Sequence, residues 1–495
     1  MIKYYSTRDT AKVNGVTSAE AIKQGLAPDG GLYIPERVPE INSEFIEKLT
    51  KLDYTGRAVE ILSLFLEDYT REELEACCSA AYSESSFPGG AAPLKKIKDG
   101  VYSLELWHGP TCAFKDMALQ LMPRLLSLAL KKTGEKRTAL ILVATSGDTG
   151  KAALEGYKDI DSIKIQVYYP AYGVSRVQKL QMITQSGSNV DVCGIDGNFD
   201  DAQNGVKAIF ADKETADILN SRGFFLSSAN SINWGRLVPQ IVYYFSAYCD
   251  LIAKGDIKNG DRIDVCVPTG NFGNIFAGYI AFRMGLPVSR FICASNKNNV
   301  LTDFLATGTY NRNRPFYTTT SPSMDILISS NLERLLYLAA GPEKTAAYMK
   351  AQKENGCYTV DPEVLGYIQS MFTGLCATDD EAASVIGSYF KEYGYLADTH
   401  TAVALSATEQ YLASTGSKTP VVVDSTASPY KFAGSVFEAV TGEAAPEGYE
   451  ALAALSAETY SVIPAPLDRL NEREIRFPDV IDPKKMTERV IGFAV

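Results

Sequence analysis

From residue 101 onward, apolar strands of about four to eight residues alternate with stretches of helical periodicity, and this order constrains the fold more than any other feature. Successive strands separated by helices pair in parallel, and a parallel sheet needs helices over its faces. The expectation is an α/β fold of mostly parallel sheets covered by helices. Residues 139–144, Ala-Leu-Ile-Leu-Val-Ala, read as a buried strand from their continuous apolar run. Residues 101–106, 163–169, 190–195, 264–267, 291–294 and 420–423 read as further strands. Several of the loops that follow these strands are polar and rich in glycine. They make poor core material, so function is sought there.

Three such loops carry chemistry. In the first, Gly109-Pro110-Thr111-Cys112-Ala113-Phe114-Lys115-Asp116 joins the strand 101–106 to a helical segment, 117–130. Gly109-Pro110 stiffens the approach, and Asp116 suits a helix start, so Lys115 stands on firm backbone beside a positive helix end. Burial and nearby positive charge both weaken a lysine's hold on its proton, and such a lysine can form a Schiff base. The plain alternative is a surface lysine at a helix start. In the second loop, Thr145-Ser146-Gly147-Asp148-Thr149-Gly150 follows the strand 139–144 and offers N–H groups and hydroxyls to an anion, or simply caps a helix. In the third, Thr269-Gly270-Asn271-Phe272-Gly273-Asn274 leads into a helix at 275–284. Free N–H donors converge there on a positive helix end and glycine admits a phosphate. The G-x-G-x-x-G spacing of a dinucleotide site is missing. A further string, 227–236, ends Ser231-Ile232-Asn233-Trp234-Gly235-Arg236; it caps the helix 237–248 or offers a guanidinium to a phosphate.

These strings resemble the threonine synthase family, pyridoxal-phosphate (PLP) enzymes of fold type II. The first loop, with His108 before it, resembles the family's lysine segment. Tyr4-Tyr5-Ser6-Thr7-Arg8 and Gly25-Leu26-Ala27-Pro28-Asp29-Gly30-Gly31-Leu32-Tyr33 resemble its N-terminal marks. Pro322-Ser323-Met324-Asp325-Ile326, Ser330-Asn331-Leu332-Glu333-Arg334, Asp398-Thr399-His400-Thr401-Ala402-Val403 and Thr426-Ala427-Ser428-Pro429-Tyr430-Lys431-Phe432 follow in family order. Thr399 departs from the usual proline. The resemblance implies two open, mostly parallel sheets with an N-terminal accessory domain at 1–100. A large PLP-binding domain would comprise 101–135 and 240–495, with a solvated helical insert near 341–394, and a small α/β domain would comprise 136–239.

The resemblance further implies that Lys115 bears the cofactor, that Gly270, Asn271, Phe272, Gly273 and Asn274 hold its phosphate, and that Thr426 faces its ring nitrogen. Ser146, Thr149, Asn233 and Arg236 become substrate-binding candidates. Related enzymes have Asn at the position of Asp148, which leaves the role of Asp148 open, while His108 is expected to pack within its loop. The implied reaction converts O-phospho-L-homoserine and water to L-threonine and phosphate, the work of a carbon-oxygen lyase. The rivals are a phospho-lyase releasing 2-oxobutyrate and a ligand-binding protein without turnover.

Composition narrows the partners. A net charge of −11 argues against a nucleic-acid surface, and the absence of any apolar run of about 18 residues argues against a membrane span. Nine cysteines without a close C-x-x-C pair, and no signal-like N-terminal segment, fit a reduced cytoplasmic protein, monomer or homodimer. Two histidines leave little room for a metal site.

Overall fold

The structure, a computed structural model, describes residues 1–13, 15–172 and 174–495. Its larger sheet has six strands in the spatial order Phe372–Cys376, Val288–Ser295, Ile263–Pro268, Val421–Ser425, Val101–Glu105 and Leu94–Lys98. All neighbours are parallel except the last pair, an antiparallel hairpin closed through Asp99 and Gly100. Gly100, at φ 73°, supplies the left-handed residue that such a tight turn needs. The smaller sheet is wholly parallel, in the order Val480–Ile481, Val190–Ile195, Ile163–Pro170, Thr138–Ala144 and Phe224–Ser227. Its three central strands are buried along nearly their whole length, hence their continuous apolar runs.

Helix Trp234–Lys254 is interior on every side from Trp234 to Cys249. It packs against Gly273–Met284 from the large sheet and against Ser43–Thr50 and Tyr54–Ser63 from the N-terminal region. The Asn233 side chain caps its start, and Gly255, at φ 76°, ends it. In the N-terminal region, Tyr4–Ser6 and Tyr33–Pro35 form an antiparallel ribbon that brings the two glycine- and serine-bearing strings together. Ser6 Oγ donates to Asp29 Oδ1 (2.7 Å), and the Leu32 N–H donates to Thr7 Oγ1 (2.9 Å). The helix Arg71–Ala81 behind it starts on a capping box, Thr70 with Glu73, worth about 1 kcal/mol.

Three expectations need correction. The helix expected over 117–130 is two, Asp116–Leu119 and Met122–Lys132, because Pro123 has no N–H to carry the ladder across. The stretch 341–394 is not only a helical insert. It contains Phe372–Cys376, the edge strand of the large sheet, which is half-buried and therefore weakly patterned. The tail, expected to lie wholly with 240–495, crosses to the smaller sheet. Val480–Ile481 extends that sheet, and helix Met486–Phe493 packs on Phe199–Ala211 and Lys213–Ser221. A two-residue strand is too short to show a period.

Candidate active site

The loops that follow the adjacent strands Val101–Glu105 and Val421–Ser425 are stitched to one another. The Phe114 N–H donates to the Thr426 carbonyl (2.8 Å), the Ser428 N–H donates to the Cys112 carbonyl (3.0 Å), and Ala113 bridges Ala427. This sets the Lys115 and Thr426 loops in register. Within the first loop the buried Asp116 carboxylate accepts from the Thr111 N–H (2.8 Å) and hydroxyl (2.7 Å), and burial pushes its carboxyl up to about 6 despite those bonds. Gly109 is required here, since a Cβ would stand 2.6 Å from Asp116 Oδ2 and 2.7 Å from a Phe87 ring carbon. Cys112 takes a left-handed conformation, φ 59°, that a non-glycine residue holds at a cost.

Lys115 caps the helix Asp116–Leu119, and its side chain is 11 % exposed, so Nζ is reachable from the site yet poorly hydrated. Burial lowers its proton affinity, and the cations Lys431 and Arg236 lower it further against the opposing pull of Asp148. Nζ lies 3.4 Å from Ser323 Oγ and 3.8 Å from Asp148 Oδ2. Asp148 opens the helix Asp148–Tyr157 from the smaller sheet, so the two sheets meet at this contact. The other oxygen of Asp148 receives Lys431 Nζ (2.7 Å) and Gln178 Nε2 (3.0 Å). Burial alone would raise its carboxyl, but the two lysines outweigh burial and hold it well below the usual carboxylate range. Lys431 also donates to the Thr111 carbonyl (3.0 Å), which ties this network back to the lysine loop.

The loop 270–274 is open backbone. Among the described residues, no hydrogen-bond partner takes the N–H of Gly270, Asn271, Phe272, Gly273 or Asn274, and all five precede or begin the helix Gly273–Met284. Phe272 is left-handed, φ 61°, with its ring buried against Phe372. The Asn274 side chain turns inward, accepting from the Thr269 hydroxyl (2.6 Å) and donating to the Pro268 carbonyl (3.0 Å), so its N–H is the part left for a ligand. A Cβ on Gly270 would come within 3.2 Å of the Ser323 carbonyl. In the loop 145–150, Thr145 Oγ1 accepts from the N–H groups of Gly147 (3.0 Å) and Gly150 (2.9 Å). Among the described residues the N–H groups of Ser146, Asp148 and Thr149 find no partner, and Ser146 is exposed.

Arg236 is 4 % exposed, donates to the Ala229 carbonyl (2.5 Å), and keeps its Nε buried without a partner among the described residues. Burial pulls this guanidinium down to about 10, and among the described residues no carboxylate pairs with it. Asn233, expected to meet substrate, does something else. Its Oδ1 caps the Gly235 N–H (2.8 Å) and its Nδ2 donates to the Ile22 carbonyl (2.8 Å), so the side chain is a strut between the helix and the N-terminal region. His108 bonds to Glu105 (2.7 Å) and stacks on Trp107. The Thr426 hydroxyl makes no hydrogen bond to a described residue.

Sequence reasoning assigned no role to Ser323, Gln178, Lys431 or His400, although three of them stand in quoted strings. The Ser323 N–H donates to His400 Nε2 (3.1 Å), so that nitrogen is bare and Nδ1–H donates to Asp398 (2.9 Å). Glu333 accepts from the Thr7 hydroxyl (2.6 Å) and from Arg8 Nε and Nη2 (both 2.8 Å), while Asn331 donates twice to the Asn271 carbonyl (3.0 Å). The N-terminal ribbon is thereby keyed to the loop 270–274.

A buried lysine of lowered proton affinity, together with five open N–H groups at a helix start, fits a cofactor that has both an aldehyde and a phosphate. Profiles of known families agree. One described as "Pyridoxal-phosphate dependent enzyme" matches residues 90–426, "Threonine synthase N terminus" matches 3–82, and "Threonine synthase, C-terminal" matches 401–491. The threonine synthase of Pseudomonas aeruginosa is 38 % identical over 446 residues, 90 % of this chain and 91 % of that one. The chain belongs to the threonine synthase family of PLP-dependent enzymes. The PLP-bound family member from Brucella melitensis superposes over 100 % of both chains with a TM-score of 0.88 at 38 % identity, and the yeast enzyme superposes with 0.89 at 33 %, over 99 % of this chain and 97 % of that one. Human threonine synthase-like 1 is 39 % identical over 87 % of this chain, which spans 58 % of the length of that protein. Among the described residues no helix is long and apolar enough to cross a membrane.

Proposed function

We propose that the protein is a threonine synthase, acting on O-phospho-L-homoserine and water to give L-threonine and phosphate. The observation that carries this reading is the buried Arg236 guanidinium without a carboxylate partner, in a site that already offers a separate cradle for the cofactor's phosphate. An uncompensated buried cation calls for an anion, and a substrate with a phosphate at one end and a carboxylate at the other supplies two. The open N–H groups of Ser146, Asp148 and Thr149 suit the carboxylate, and Arg236 suits the phosphate.

Bound PLP supplies the electron sink for bond breaking at Cα and Cβ. Lys115 Nζ, held below its ordinary proton affinity, takes the proton at Cα and returns one farther along the substrate. Asp148, kept ionised by Lys431, stands 3.8 Å from Nζ and favours its charged form after each transfer. Ser323 lies 3.4 Å from both groups and its backbone is fixed by His400. Both histidines are engaged, His108 by Glu105 and His400 by Asp398 and Ser323, and in this proposal the departing phosphate serves as the base for the water that adds at Cβ.

The test is incubation of the PLP-loaded protein with O-phospho-L-homoserine, with threonine, 2-oxobutyrate and phosphate all quantified. Threonine and phosphate in equal amounts are expected. Phosphate with 2-oxobutyrate would make the protein a phospho-lyase, and a PLP-loaded protein inert toward this substrate would overturn the reading.

A further inference from the structure

Asp424 stands next to last in the strand Val421–Ser425, two residues before Thr426, and nothing in the reaction above uses it. It is fully buried, and among the described residues its Oδ1 has no hydrogen-bond partner. Its Oδ2 lies 2.8 Å from the Tyr244 hydroxyl, which also lies 2.9 Å from the carbonyl of Asn274. A phenolic hydroxyl has one proton, and a carbonyl can only accept. If Tyr244 serves the Asn274 carbonyl, the short contact to Asp424 needs a proton on the carboxyl.

The surroundings agree with a neutral acid. Asp424 faces Tyr243 and Tyr244 from helix Trp234–Lys254, Cys266 from the neighbouring strand Ile263–Pro268, and Asn274 across the Tyr244 hydroxyl from helix Gly273–Met284. None of these is a cation. Burial therefore acts unopposed except by the Tyr244 hydrogen bond, and pushes the carboxyl up to about 8.

We infer that Asp424 is a positioning residue held as a carboxylic acid, donating to Tyr244 so that Tyr244 can hold the Asn274 carbonyl. The bridge fixes the first turn of the helix whose open N–H groups form the phosphate cradle, and anchors it to the strand that ends at Thr426. The two ends of the cofactor site are thus set against one another by one proton. When Asp424 ionises, Tyr244 must turn its only proton to the carboxylate, and the Asn274 carbonyl loses the phenolic donor that ties it to the strand. The phosphate cradle then loosens.

The test is PLP affinity of the apoprotein, followed by absorbance from about pH 6.5 to 9.5 for the native chain, Asp424→Asn and Tyr244→Phe. It needs no turnover, so it stands or falls separately from the proposed reaction. Asparagine can donate to Tyr244 at every pH. The native dissociation constant is expected to rise about tenfold more than that of Asp424→Asn across this range, the worth of one buried hydrogen bond. Parallel curves for the two proteins would overturn the inference. Tyr244→Phe keeps the acid and deletes the bridge, and carries the test if the first variant does not fold. Weaker binding at low pH with a flattened slope is expected, whereas native affinity and an unchanged slope would overturn it.

Discussion

Asp148 and Asp424 are both buried acids beside the same site, and their proton affinities are shifted in opposite directions. Asp148 opens a helix of the smaller sheet and receives Lys431, Gln178 and, at longer range, Lys115. Asp424 stands next to last in a strand of the larger sheet, and among the described residues its carboxyl is hydrogen-bonded only by the Tyr244 hydroxyl. Desolvation is the largest single influence on both, and it acts in the same direction. The neighbours decide the outcome: two ammonium groups keep Asp148 ionised against its burial, and their absence leaves Asp424 neutral. An acid beside Lys115 is thus held as a fixed negative charge, while one behind the loop 270–274 keeps, on our inference, a proton to donate.

The largest effect is expected from Lys115→Ala. On the proposed assignment it removes the Nζ that would bond the cofactor, so the absorbance of the PLP Schiff base and turnover should both vanish; retained turnover would remove Lys115 from the assignment. Next in size is Lys431→Met, which leaves the buried Asp148 carboxylate with only the distant Lys115 for charge balance. Breaking a buried pair at one partner costs about 3–5 kcal/mol, and unfolding in denaturant should register most of it. Adding Asp148→Asn should restore much of that stability. If the single variant is as stable as the native protein, Asp148 is not held by Lys431.

Much of the frame was legible because its determinants are local. Continuous apolar runs marked the central strands, and the loop 269–274 declared itself by glycine spacing after a strand, which is a backbone property. Asp148 and Lys431 lie in strings that were read but were not joined. The pair spans 283 positions, and no periodicity links residues on different sheets. Asn233 misled for the opposite reason, because a polar side chain before a helix is equally good as a cap or as a ligand. The edge strand Phe372–Cys376 was hidden by half-burial, and the two-residue strand Val480–Ile481 by its length.

The two acids should also tilt stability in opposite directions with pH. Asp424 has its folded proton affinity raised to about 8, so its contribution is fullest below the unfolded value near 4 and is lost as pH rises toward 8. Asp148 has its affinity lowered, so its contribution is present above the unfolded value and is lost only in strong acid. Asp424→Asn should therefore gain on the native protein between about pH 4 and 8, by at most about 1.4 kcal/mol per pH unit, and hold a constant lead above that. Melting curves at several pH values measure this. A gap that does not change with pH would mean that Asp424 is ionised throughout, which would erase the contrast with Asp148.

The smallest effect is expected from Gln178→Leu. Gln178 Nε2 donates to Asp148 Oδ1 at 3.0 Å, the same oxygen that Lys431 reaches at 2.7 Å. Removing the amide deletes a hydrogen bond to a charged acceptor, worth about 1.5–3 kcal/mol, and the weaker bond it accepts from the Ser175 N–H (3.2 Å), but leaves the ion pair that fixes the charge state. Stability should fall at the lower end of that range and the pH profile should keep its shape, because the neighbouring cations and not the amide set the proton affinity of Asp148. The same side chain lies against Gly147, where a Cβ would sit 2.4 Å from Gln178 Cδ, so the shorter reach of leucine costs some packing as well. A loss as large as that of Lys431→Met would shift the weight of the Asp148 site from counter-charge to hydrogen bonding. The two acids would then differ in their number of donors rather than in the cations beside them.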